Sequence, residues 1–290
     1  MNLKTKNRIY FNRFSFVIIC LLAIIALFPF FHLVIKLLSE GVKNLSLNFF
    51  IQNYPSNMDA TLSYIAGESI RGGILSGILG SFYMALITII IAVPLGITAG
   101  IFIHDNRNHL LSNALEYSIH ILHGVPSIIV GIIIYLWVVK SLHSFSILAG
   151  GISLSFIMLP VLIKNTIRIL AAIPSGLREN AFALGYSYPC VMCRVLIPSV
   201  KKELTSSVLI TLSQTIGEVA PLLYTALGAS VVSWNINEPG NSLSLIIWEF
   251  FNKPYMIGFM WSTALILFLL IVGLNITAKA IVRKNRIYGK

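Results

Sequence analysis

Long apolar runs without a single formal charge limit the folds that this chain can adopt. The first run extends from Phe14 to Ile35 and contains no Asp, Glu, Lys or Arg. A helix needs about 20 residues to cross the roughly 30 Å hydrocarbon core of a bilayer. The run is longer than the apolar part of a signal peptide and has no clear small-residue cleavage site. We therefore expect a retained first membrane span.

Five further apolar segments follow, so the sequence predicts an all-α integral membrane protein with six transmembrane helices. Only 11% of the 290 residues are charged, whereas soluble domains carry about 25% charged residues. The spans are predicted at about 14–35, 81–103, 117–139, 147–163, 206–232 and 256–278. They form one membrane domain (14–281) between an N-terminal tail (1–13) and a C-terminal tail (282–290).

The positions of Lys and Arg predict which side of the membrane each loop faces. With both termini in the cytoplasm, the inside segments hold 16 of the 21 Lys and Arg residues and the outside segments hold 5. Cytoplasmic loops carry an excess of these residues. We therefore expect a multi-pass protein of the cell inner membrane with cytoplasmic termini. The net charge of +11 does not indicate nucleic-acid binding, because the basic residues lie in the loops and tails between apolar spans. The spans themselves would contact membrane lipid.

A polar segment from Arg178 to Pro198 interrupts the second half of the chain. Its apolar residues recur at roughly helical spacing. Gly185 is well placed to end one short helix, and Pro189 to begin the next. The pattern predicts two helices joined by a turn, with an apolar face offered to a partner protein. That face would include Ala181, Leu184, Val191, Val195 and Ile197.

The spacing of this segment resembles a loop of importer-type ABC transporter permeases. The matching residues are Glu179-Asn180-Ala181, then Gly185, then Val195-Leu196-Ile197-Pro198, against E-A-A, G and I-x-L-P in the family. In that family the loop forms the coupling helix that docks into a cleft of the ATPase subunit. Asn180 departs from the usual Ala. The resemblance implies a coupling loop at 174–203, in which the ATPase-coupling residues are Arg178, Glu179, Ala181, Gly185, Val195, Ile197 and Pro198.

Glu218 lies near the middle of the predicted fifth span. A carboxylate at that depth costs several kcal/mol and usually faces a polar path or a partner. Pro221 has no N–H, so it cannot bond the carbonyl of Gly217, and we expect the helix to kink or open at Glu218. Irregular backbone there is tolerated where it lines a cavity or is buried in protein. Glu218 is thus a candidate for a transport path; the alternative is a protonated, hydrogen-bonded structural residue.

Three segments resemble phosphate-specific ABC permeases of the PstA type. Gly217 to Leu223 is similar to the G-E-T-A-P-L-L segment of that family, and His123 to Gly131 to its G-V-P-S-I-V-x-G element. Leu159-Pro160 fits the end of its fourth span. The resemblance covers roughly residues 70–280. It implies the type I ABC importer (MetI-like) permease fold.

The resemblance also implies partners. It implies an inward phosphate path by alternating access, shared with a second permease of the PstC type. An ATPase dimer of the PstB type would carry ATP and Mg, and an external phosphate-binding protein of the PstS type would deliver the substrate. No G-x-x-x-x-G-K-[ST] loop occurs in the sequence. We therefore expect a transporter subunit that is not an enzyme and binds no cofactor itself.

Two departures from the family bear on the path. Where the family usually has Arg one turn before the glutamate, this chain has Gln214, and where it has R-T-T-E-E this chain reads Lys164 to Arg168 as K-N-T-I-R. A phosphate path needs donors and positive charge, and Arg offers bidentate geometry that Lys does not. Lys164 and Arg168 are alternatively ordinary snorkelling residues at a helix end. The candidate path and gating residues are Glu218, Gln214, Gly217, Pro221, Lys164, Arg168, Pro126 and Ser127.

Other functions stay open at this point. A permease for another oxyanion or small solute, such as molybdate or sulfate, would carry the same coupling loop. A membrane-embedded enzyme would need a second acid or a nucleophile with its base at the depth of Glu218. A channel without ATP would have no use for the loop spacing. No metal site is expected, because zinc takes about four ligands and the sequence has no second cysteine pair besides Cys190 and Cys193.

Overall fold

A computed structural model describes residues 3–55, 57–67, 70 and 72–286, and this part of the chain is helical except for turns and one isolated bridge. Residues 1–2 and 287–290 of the predicted tails lie outside the described residues. The helices are α1 (Leu3–Gly41), α2 (Leu47–Ile51), α3 (Asn57–Ile65), α4 (Leu75–Asp105), α5 (Leu110–Gly124), α6 (Ser127–Leu142), α7 (Ile147–Ala171), α8 (Ser175–Ala183), α9 (188–199), α10 (Lys201–Thr215), α11 (Leu243–Phe251) and α12 (Ile257–Arg286).

The two central helices, α4 and α7, pack along each other. Glycines allow this approach: a Cβ on Gly96 would lie 2.8 Å from Leu162, and one on Gly151 would lie 2.6 Å from Ile87. The Thr88 hydroxyl donates to the Gly151 carbonyl at 3.1 Å. In a bilayer no hydrophobic driving force brings helices together, and small residues allow the close packing that holds them. α10 packs against α7, α12 packs against α10, and α1 packs against α12.

Four of the described helices are long and apolar enough to cross a membrane, and α5 with α6 makes a fifth if the bent pair is one span. The four lie at Phe11–Gly41, Leu75–Asp105, Ile147–Ala171 and Pro254–Arg283, over the predicted first, second, fourth and sixth spans. The predicted third span bends by 106° between α5 and α6. Val125 is extended there (ψ 128°), as the residue before a proline prefers. The count of six spans is not confirmed.

The structure differs from the predicted fifth span at 206–232. α10 ends at Thr215, and residues 216–242, here called the opened segment, contain turns and one 3-10 turn at Leu222–Tyr224. A helix of 15 residues is about 22 Å long, shorter than the hydrocarbon core. Periodicity could not reveal this end, because the residues after Thr215 are as apolar as those of a helix.

The opened segment is held by hydrogen bonds to its neighbours. Its carbonyls at Thr225, Glu238 and Ile236 accept from the N–H groups of Ser146, Ile147 and Leu148 at 3.0, 3.0 and 2.9 Å. The first N–H groups of a helix have no acceptor within it, so the opened segment caps α7.

The start of α11 connects the opened segment to α4. The Ser244 hydroxyl donates to the Glu218 carbonyl at 3.1 Å, and the Leu243 N–H donates to the Ser81 hydroxyl at 2.9 Å. Gly80 of α4 lies in direct contact with the backbone of Asn241. Irregular backbone within a membrane protein is tolerated where it is buried in protein, and these contacts provide that environment.

Candidate functional site

A cavity of about 290 Å³ lies between the α5–α6 bend, α7 and α10. Three of the predicted path residues line it: Ser127 at the start of α6, Gln214 in the last turn of α10, and Glu218 in the opened segment. Its other polar residues are His123, Thr211 and Thr215. α7 supplies a largely apolar wall. The structure therefore brings together residues that are about 90 positions apart in sequence.

Glu218 faces the cavity because α10 ends before it. The N–H groups of Gly217 and Glu218 bond the carbonyls of Gln214 and Thr215 at 3.3 and 3.1 Å, and neither continues the α-helical pattern. The expectation that the helix opens at Glu218 is confirmed, and the opening begins about three residues earlier. Gly217 does not line the cavity; its nearest side chain is Ile271 of α12.

The lining of the cavity combines hydrogen-bond donors with one carboxylate. The hydroxyls of Thr211 and Thr215 donate to the Ser207 and Thr211 carbonyls at 2.8 and 2.9 Å, so their protons are already bonded. The Gln214 amide, the Ser127 hydroxyl and the His123 ring remain as hydrogen-bonding groups for a bound ion. Among the described lining residues there is no Lys or Arg. An anion in this cavity would meet hydrogen-bond donors but no Lys or Arg side chain.

Lys164 and Arg168 do not line this cavity. They follow the lining residues Ile157 and Val161 at helical spacing along α7, so all four share one face of the helix. Arg168 is exposed and, with Glu203 of α10, lines a second cavity of about 440 Å³ at the end of α7 next to the coupling loop. The two basic residues therefore lie on the same face of α7 as the cavity wall, beyond the cavity in the direction of that loop.

The coupling loop has the predicted architecture. α8 ends at Ala183, Gly185 follows with φ 83°, and Pro189 lies in the first turn of α9. Glycine adopts this left-handed conformation without the steric cost of a side chain. No atom lies within 4 Å of the place where a Cβ on Gly185 would be, so the turn is the open tip of the loop.

The apolar face of the loop is divided between two surfaces, in contrast to the prediction. Ala181, Val191 and Leu196 are buried and form a cluster with Ile101 of α4. Periodicity identifies an apolar face but not what covers it. Of the predicted face only Leu184 is exposed, and the exposed apolar side chains of the loop are Leu177, Phe182, Leu184, Tyr186 and Tyr188.

The predicted coupling residues accordingly differ in their exposure to solvent. Glu179, Gly185 and Pro198 are exposed, Arg178, Val195 and Ile197 are half-buried, and Ala181 is buried.

A polar cluster that the sequence does not predict lies between α4 and the coupling loop. The Asp105 Oδ2 accepts from Arg178 Nη2 at 2.9 Å and from the Tyr188 hydroxyl, and Oδ1 lies 2.9 Å from His104 Nδ1. Partial burial, together with the hydrogen bond to Asp105, raises the pKa of the Tyr188 hydroxyl to about 12. The only sequence signal was an acid directly after a long uncharged run.

One family of known proteins matches about two thirds of this chain. A family model described as "Binding-protein-dependent transport system inner membrane component" matches residues 92–287. The chain belongs to this family. That range contains the α5–α6 bend, the coupling loop and the opened segment, so every part of the candidate site falls inside it.

Relatives in this family are similar over most of their length. The phosphate transport system permease protein PstA of Xylella fastidiosa (strain Temecula1) is 31% identical over 286 residues, covering 97% of this chain and 96% of the relative. The PstA protein of Haemophilus influenzae is 30% identical over 256 residues, which is 87% of each chain.

Solved structures show that the fold is that of family permeases. A chain of the inward-facing MetNI methionine ABC transporter matches with a TM-score of 0.57 at 19% identity, over 73% of this chain and 93% of that one. A chain of a bacterial ABC transporter that imports alginate matches with a TM-score of 0.59 at 12% identity, over 96% and 99%. The all-helical, MetI-like importer permease fold is thus confirmed.

Proposed function

We propose that this chain is the permease subunit of an ATP-driven ABC importer that moves inorganic phosphate across the inner membrane. One observation carries the proposal: the two segments most similar to phosphate permeases, 123–131 and 217–223, meet at a single cavity. A Cβ on Gly131 would lie 2.7 Å from the Pro221 Cα, and Ser127 and Glu218 line the same space. The PstA relatives support phosphate as the substrate.

Transport would proceed by alternating access. The exposed tip of the coupling loop, with Leu184 and Gly185, would dock into an ATPase dimer that binds ATP and Mg, so this chain holds no cofactor and catalyses no reaction. Both termini and the loop would face the cytoplasm. A second permease subunit would complete the pore, and an external phosphate-binding protein would deliver the ion.

The charge of the cavity indicates what the second permease must supply. Glu218 alone would repel phosphate, and Gln214 offers donors without charge. Charge-assisted hydrogen bonds are about twice as strong as neutral ones. We therefore expect cations from the second permease, or Lys164 and Arg168 along the α7 face, to compensate the carboxylate. Pro126 and Pro221 would fix the two bends between which the ion passes.

Phosphate uptake by the full complex tests this function. Wild type is compared with Gly185→Asp and Glu218→Gln in vesicles supplied with ATP. Gly67→Asp is the matched control, because Gly67 also has a positive φ (71°) and open surroundings but lies far from the loop in sequence. We expect Gly185→Asp to abolish uptake with the complex still assembled, Glu218→Gln to reduce it, and Gly67→Asp to leave it unchanged.

The same vesicles separate phosphate from other oxyanions. If wild type takes up sulfate or molybdate and no phosphate, the importer stands and the substrate is wrong. If Gly185→Asp transports normally, the loop does not couple ATP to transport and the proposal fails. If uptake proceeds without ATP, the chain acts as a channel.

A further inference from the structure

A single carboxylate joins both helices of the coupling loop to α4. Asp105 is the last residue of α4, and its side chain is only 6% exposed. Its Oδ2 accepts from Arg178 of α8 and from Tyr188 at the start of α9. Because both donors reach the same oxygen, α8 and α9 cannot leave the end of α4 independently while these bonds hold.

An apolar contact lies one turn away on the same helix. Ile101 of α4 packs against the buried cluster of Ala181, Val191 and Leu196. A cavity of about 210 Å³ lies beside the Asp105–Arg178 pair, lined in part by Pro174 and Met192. The loop is therefore packed against α4 and has free volume next to that contact.

The far end of α4 reaches the candidate transport site. α4 is continuous over 31 residues, about 46 Å at 1.5 Å per residue. Near its start, Ser81 accepts from the Leu243 N–H, and Ser244 donates to the Glu218 carbonyl. α4 also packs along α7, which forms the apolar wall of the cavity. One continuous helix thus contacts both the coupling loop and the surroundings of Glu218.

We propose that Asp105 is a positioning residue for energy coupling, which holds α8 and α9 to α4 so that displacement of the loop moves α4. This inference rests on the proposed ATP-driven function. Arg178 then acts inside the chain, while the exposed tip of the loop acts on the ATPase. A charged acceptor is required, because bonds from Arg and Tyr to a carboxylate are stronger than those to a neutral amide.

The test measures ATP hydrolysis and phosphate uptake in the same proteoliposomes containing the full complex. Asp105→Asn keeps the size of the side chain and removes its charge. We expect uptake to fall about tenfold while hydrolysis stays within about twofold, as for the loss of charge-assisted hydrogen bonds. Arg107→Gln is the matched control, because Arg107 lies two residues on and is exposed; it should leave both rates unchanged.

Two further experiments separate a positioning role from general stability: a double variant in which the two charges are swapped, and a hydrogen-exchange measurement. Asp105→Arg combined with Arg178→Asp should recover part of the uptake lost in each single variant. Hydrogen exchange of residues 175–199 should speed up in Asp105→Asn, with the remaining described helices unchanged.

Three outcomes would overturn the inference: an unchanged ratio of uptake to hydrolysis in Asp105→Asn, a proportional loss of both rates, or no rescue by the double variant when each single variant assembles. If wild type itself shows no ATP-dependent phosphate uptake, the proposed function fails instead, and the wild-type arm reports this separately.

Discussion

Gly131 of α6 and Pro221 of the opened segment are in backbone contact, so close that a Cβ on Gly131 would lie 2.7 Å from the Pro221 Cα and 2.9 Å from its carbonyl oxygen. The contact joins the two bends of the chain that border the cavity. Since the neighbouring atoms belong to the backbone, they cannot move aside as a flexible side chain would.

Replacing Gly131 by Ala should therefore separate α6 from the opened segment. We expect a loss of about 1–3 kcal/mol, typical of inserting a methyl group into a packed site, and a decrease in phosphate uptake. Gly273→Ala is the control, because Gly273 lies in α12 with no atom within 4 Å. Thermal unfolding of the purified complex checks both, and equal melting temperatures for the two variants would contradict the prediction.

A second carboxylate in the cavity should weaken phosphate binding. Gln214→Glu keeps the shape of the side chain and places a like charge near Glu218. Like charges a few ångströms apart interact by about 1–4 kcal/mol at intermediate dielectric, so we expect the KM for phosphate to rise at least about tenfold. Gln52→Glu, at an exposed position after α2, should leave KM unchanged. A normal KM in Gln214→Glu would place the anion elsewhere.

The left-handed turn of the coupling loop should not accept a side chain. Gly185→Ala would strain the backbone at φ 83° by about 1–2 kcal/mol and shift the exposed tip that we expect to dock. Uptake should fall several-fold with unchanged assembly. Gly176→Ala, in the same loop but with open surroundings and no positive φ, should have no effect. Similar uptake in the two variants would count against docking through this turn.

The bond between Tyr188 and Asp105 predicts a change at alkaline pH. The pKa of Tyr188 is raised to about 12, against about 10 for an unperturbed tyrosine. Folding then favours the protonated hydroxyl, so its contribution to stability is complete below pH 10 and is lost as the pH rises to about 12. The hydrogen-exchange protection factors of residues 175–199, which correct for the intrinsic base catalysis of exchange, should fall over this range in wild type. In Tyr188→Phe these protection factors should already be low at pH 9 and show no such step.

Local chemistry made some features predictable from sequence. Gly185 and Pro189 indicate the end of one helix and the start of the next, since glycine permits a left-handed turn and proline fixes φ, whatever surrounds them. Pro221 likewise indicated that the helix opens near Glu218. The uncharged run after Phe14 identified a spanning helix from length and composition alone.

Features that depend on distant contacts were not predictable. Whether Ala181 meets an ATPase or Ile101 depends on how the loop folds back on α4, and apolar periodicity is the same in both cases. The end of α10 at Thr215 depends on hydrogen-bond donors from the start of α7 and from α11, more than 25 residues away in sequence. Asp105 has two partners that follow it by over 70 residues, so its role emerges only in three dimensions.

The caps on α7 restrict how the site can open. Ser146 and Ile147 are buried, and their N–H groups, with that of Leu148, depend on carbonyls of the opened segment. Pulling the two apart would leave buried donors unsatisfied, at about 1–3 kcal/mol each. We therefore expect α7 and the opened segment to move as one body, and any opening of the cavity to occur on the side of α6, where Gly131 packs against Pro221.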